Sequence, residues 1–108
     1  MAQNFRRYTN NNVGTVAVTS FTANSYDTVV GISVSNITAT AVNADVYIND
    51  GTNDIYLVKT APIPSGSSLQ VLDGGAKFVM QSGDALKIVS DTASSLDVYV
   101  STVDDISS

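Results

Sequence analysis

The sequence predicts an all-β fold: a single-domain antiparallel β-sandwich of roughly eight strands, jelly-roll-like in arrangement. Three observations predict it. Between residues 28 and 103 the chain alternates apolar and polar side chains in short stretches, the period of a strand with one buried face. Gly, Asn, Asp, Pro and Ser break these stretches at the intervals expected of sandwich turns. No segment carries a helical period of any length, and no solenoid repeat is present.

The strands follow in order. Val16 and Val18 alternate with Thr15, Ala17 and Thr19 as a first strand, and residues 21–27 connect it to the next. Residues 28–34 form a second strand with Val30, Ile32 and Val34 on one face. Residues 36–40 break the run, after which Val42, Ala44, Val46 and Ile48 share a face of a third. Asn49-Asp50-Gly51 is the strongest local signal, because Asp-Gly accommodates the positive φ that a tight hairpin requires. Its partner strand covers residues 54–59. Pro62 and Pro64 then exclude a central strand, since proline has no N–H to donate, so this segment crosses between sheets or lies along an edge. Short strands are expected over residues 68–72, 77–80 and 85–89, with a last strand from Leu96 through Val98 and Val100. The predicted inner face holds Val30, Ile32, Val34, Val46, Ile48, Leu69, Val71, Leu86, Ile88, Val98 and Val100.

At 108 residues the chain suits one domain, read as an arm over residues 1–12, a sandwich over 13–104 and a polar tail over 105–108. The arm shows no packing periodicity. Its Phe5, Arg6, Arg7 and Tyr8 are candidate partner-binding residues, because arginine and aromatic side chains suit a protein interface. A first strand beginning earlier, or a solvated tail, would explain the same residues.

Composition excludes several functions. The chain has no His, Cys, Trp or Glu, so a serine nucleophile would lack its usual base and thiol chemistry is absent. The ten acidic residues are all Asp and sit mainly at turns, where backbone hydrogen bonding accounts for them. No enzyme, no cofactor and no metal site is expected. The loop over residues 49–54 offers oxygen ligands of the kind calcium takes, but without EF-hand spacing, and a hairpin turn explains it equally. A net charge of −5 with no basic cluster beyond Arg6-Arg7 argues against nucleic acid and anionic membranes as partners. Nothing in residues 1–12 resembles a signal peptide, and no stretch approaches the roughly 18 apolar residues of a membrane span. Charged residues make up 14% of the chain, so a Ser-, Thr- and Asn-rich surface is left that suits packing against other subunits. Tyr47 and Tyr99, each between inward-facing neighbours, are expected to be exposed and could serve a carbohydrate-binding role.

A set of segments stands out together: Tyr26-Asp27-Thr28-Val29-Val30-Gly31-Ile32, residues 42–50, Tyr56-Leu57-Val58-Lys59, and residues 61–69 with their two prolines. It continues through Gln81-Ser82-Gly83-Asp84 and Ser94-Ser95-Leu96-Asp97-Val98-Tyr99-Val100-Ser101. On these residues the chain, over 28–107, resembles small structural proteins of tailed bacteriophages, of the cyanophage and marine myophage type. The resemblance implies a non-enzymatic virion component, made in the host cytoplasm, with capsid decoration as the expected role and a neck, tail or baseplate position as the alternative. Its expected partners are other virion proteins, capsid or neck and tail, and further copies of itself. A carbohydrate-binding adhesin is the competing class.

Overall fold

A computed structural model describes residues 3–23, 27–71 and 78–105. Among them are nine strands: β1 (Gln3–Val13), β2 (Val18–Thr22), β3 (Asp27–Asn36), β4 (Val42–Asn49), β5 (Asp54–Ile63), β6 (Ser68–Gln70), β7 (Phe78–Met80), β8 (Ala85–Ser90) and β9 (Leu96–Asp105). They form two antiparallel sheets, one in the order β1-β9-β3-β6 with β7 also on β3, the other β2-β8-β4-β5.

The pairing is nested. First pairs with last, β2 with β8, β3 with β6 and β7, and β4 with β5. This is the wrapping of one long antiparallel ribbon into two sheets, the jelly roll. β6 meets Ser33–Ser35 and β7 meets Asp27–Val29, so the two short strands share one place beside β3. Nine strands therefore fill eight positions.

The core lies between the sheets. Ile32, Val34, Val46, Leu86, Ile88, Val98 and Val100 are buried as their period-two spacing predicts, with Ile48, Leu69 and Val71 packed at the margin. Val30 departs from the prediction. The register of β3 against β9 shifts between Val29 and Gly31, and this bulge reverses the alternation. Val29 is fully buried in its place, and Val30 is 39% exposed.

Two further elements differ from expectation. Residues 3–13, read as an arm, are a strand whose partner is β9 over eight consecutive pairs from Gln3 to Asn10. The first strand expected at residues 15–19 is shifted to Val18–Thr22, which brings Phe21 inside. The proline segment lies along an edge, one of the two places expected for it: β5 continues through Thr60 and Pro62 to Ile63 as an edge strand, so the missing proline N–H costs no pairing within a sheet centre. Of the tail expected over residues 105–108, Asp105 closes β9 and the rest lies outside the described residues.

Asn36, where β3 leaves the sheet, is buried and fully engaged. Its Nδ2 donates to the carbonyls of Thr40 (2.8 Å) and Ile63 (2.9 Å), and its Oδ1 accepts from the N–H and hydroxyl of Thr38. One side chain thus closes the β3–β4 connection and anchors the end of β5.

Candidate functional site

Strand alternation divides the four residues singled out in the sequence between two faces. Phe5 and Arg7 lie in the outer row of β1, and Phe5 is 76% exposed. Tyr8 turns inward and stacks on Phe21 of β2, with ring centroids 4.3 Å apart. Arg6 shares the parity of Tyr8 and remains exposed at the margin of the sheet. Tyr8 belongs to the packing of the sandwich, while Phe5, Arg6 and Arg7 are exposed and line one groove.

The outer face of the five-stranded sheet is built from register. Its first row runs Phe5–Val103–Thr28–Val79, mostly apolar, with Val79 60% exposed. The next runs Arg7–Ser101–Gly31, then Thr9–Tyr99–Ser33–Gln70, then Asp97–Ser35–Ser68. Tyr99 stands 49% exposed among short side chains, as its place between Val98 and Val100 requires. On one side of it Phe5, Arg6, Arg7, Val30 and Ser101 line a shallow groove of about 290 Å³. On the other a second groove of about 320 Å³ is lined by Thr9, Asn11, Ser33, Ser35 and Asp97. One cation and one carboxylate occupy these rows. The face is broad and offers dispersion contacts and neutral hydrogen bonds rather than strong electrostatics.

Tyr47, expected on the surface, is covered. Tyr56 lies across it with ring centroids 4.9 Å apart, and the Lys59 ammonium sits 4.4 Å above the Tyr56 ring and 3.8 Å from Asp45 Oδ2. Burial, followed by the nearby Asp54, Tyr56 and Asp45, raises the Tyr47 pKa above the ordinary 10.0. Cross-strand pairing produced this cover, since Tyr47 and Tyr56 are register partners in β4 and β5.

In the loop joining β4 and β5, Gly51 has φ +97°. Asp50 Oδ1 accepts the N–H groups of Thr52 (3.0 Å) and Asn53 (2.7 Å), Asn49 Oδ1 accepts that of Gly51 (2.9 Å), and Asn49 Nδ2 donates to Asp54 Oδ1 (2.7 Å). The oxygens considered as calcium ligands thus close the hairpin. Among the described residues no three His, Cys, Asp or Glu side chains gather as a metal site.

No protein-family model matches the chain, and no curated protein matches it. Solved structures do share its fold. A chain of the acid-stable capsid of Helicobacter pylori bacteriophage KHP30 aligns with a TM-score of 0.59 at 9% identity, covering 95% of this chain and 86% of that one. A chain of the disulfide-linked pili that form Bacillus endospore appendages aligns at 0.56 and 18% identity, covering 94% and 84%. At these identities the likeness is one of fold.

Proposed function

We propose that this chain is a non-enzymatic structural component of a tailed-phage virion that decorates the capsid; a neck, tail or baseplate position is the alternative within the same class. The observation that carries the reading is the outer face of the five-stranded sheet, where Phe5, Val79, Val30 and Tyr99 are exposed on a broad, sparsely charged surface. A surface of this kind gains free energy by being covered. Its fold, shared with a chain of a phage capsid, supports the same reading. The pilus likeness supports assembly more generally, but the disulfide linkage named for those pili is closed to a chain without cysteine.

A second reading, a carbohydrate-binding adhesin, has one observation in its favour: the Tyr99 ring borders the groove of hydroxyl, amide and carboxylate groups from Thr9, Asn11, Ser33, Ser35 and Asp97. Electron microscopy of purified particles from cells that express this chain separates the two. The first reading expects jelly-roll density on the capsid, or failing that on the neck or tail. Absence from particles, with saturable glycan binding lost in Tyr99→Ala, would establish the second instead.

A further inference from the structure

A sandwich has four open edges, and three of them here carry features that obstruct pairing with another strand. The β6/β7 edge consists of two strands of three residues each. β2 has five residues with a register shift between Thr19 and Phe21. β5 carries Pro62, a positive φ at Thr60 and two register shifts against β4. β1 differs over its first eight residues. It is eleven residues long and free of proline, and its register shift and the positive φ at Asn12 lie beyond Asn10, so residues 3–10 run in unbroken register. No strand among the described residues pairs with its outer side.

We propose that the β1 edge pairs antiparallel with β1 of a second copy across a two-fold axis, joining two five-stranded sheets into one. A second copy is the occupant because the three other edges are obstructed, and an open edge needs an equally open one. Symmetry limits the register, since side chains directly opposite must lie on the same face. Centring the pair on Arg6 or on Arg7 sets like charges against each other. Centring it on Phe5 sets Phe5 against Phe5, Arg6 against Asn4 and Arg7 against Gln3. This register covers the exposed phenyl ring with an aromatic partner. The proposal deepens the assembly invoked under the function above and rests on it only in that the chain works as an assembled unit.

The test is sedimentation equilibrium of the full chain with amide hydrogen exchange along residues 3–7. The wild type should dimerise with rising concentration, and alternate β1 amides that exchange rapidly in the monomer should become protected. Phe5→Lys, at a position already exposed, sets two ammonium groups across the axis and should weaken the dimer by about tenfold. A wild type that stays monomeric, a dimer indifferent to Phe5→Lys, or one whose β1 amides exchange as in the monomer would overturn the proposal. None of these results bears on whether the chain resides in a particle, which the microscopy decides.

Discussion

The rings of Tyr8 and Phe21 stack with centroids 4.3 Å apart and planes within 7°, tying β1 of one sheet to β2 of the other. The contact makes β1 part of the sandwich rather than an appendage. Tyr8→Ala should therefore cost about 2 kcal/mol, between the value of an aromatic pair and that of a fully buried ring. Phe5→Ala, on the outer side of the same strand, should stay within about 0.5 kcal/mol in dilute solution. Urea unfolding of both variants checks this; equal losses would mean that β1 does not pack as described.

Gly51→Val tests the hairpin. A Cβ at Gly51 meets no atom within 4 Å, so the cost comes from the +97° backbone alone. It should be about 1–2 kcal/mol, the usual penalty for an L-residue in a left-handed conformation. A denaturation midpoint equal to that of the wild type would contradict the turn.

Asn36→Asp should destabilise more than its size suggests. The amide donates to two carbonyls, of Thr40 and Ile63, and a carboxylate can donate to neither. Asn36→Ala should cost about 1–3 kcal/mol for leaving these buried groups unpaired, and Asn36→Asp at neutral pH at least as much. A thermal melt of Asn36→Asp at pH 7 matching the wild type would show that the amide is not needed.

Two exposed carboxyls should shape the acid limb of stability. Backbone N–H groups of Asn53 and Thr52 hold Asp50 below the ordinary 3.8, and that of Asn43 does the same for Asp91. A carboxyl with a lower pKa folded than unfolded contributes stability above its unfolded value and loses it as pH falls through its folded value. Stability should therefore decline below about pH 4. Asp50→Asn with Asp91→Asn, each keeping an acceptor oxygen, should flatten that decline. Urea midpoints from pH 7 to pH 2.5 measure it, and an unchanged acid limb would assign the loss to other groups.

The all-β class, the central strands and the Asp50-Gly51 turn were legible because each depends on residues within a few positions of one another. Ile32, Val34, Leu86, Ile88, Val98 and Val100 announce a buried face by spacing alone, and Gly51 supplies the φ that a tight turn demands. What the sequence left open depended on partners distant along the chain. Residues 3–13 show no apolar period because an edge strand is held by backbone pairing, here to β9. Val29 replaces Val30 inside because the bulge against β9 shifts the phase of β3. Tyr47 and Tyr99 stand in the same kind of alternating stretch, yet Tyr47 is covered because its register partner is Tyr56, whereas Tyr99 lies between Thr9 and Ser33 and stays open. Local chemistry thus determined which segments are strands and which faces are apolar. The pairing of strands far apart in sequence decided which aromatic rings are exposed and which edge is left open, because a side chain's exposure depends on neighbours that its own strand does not specify.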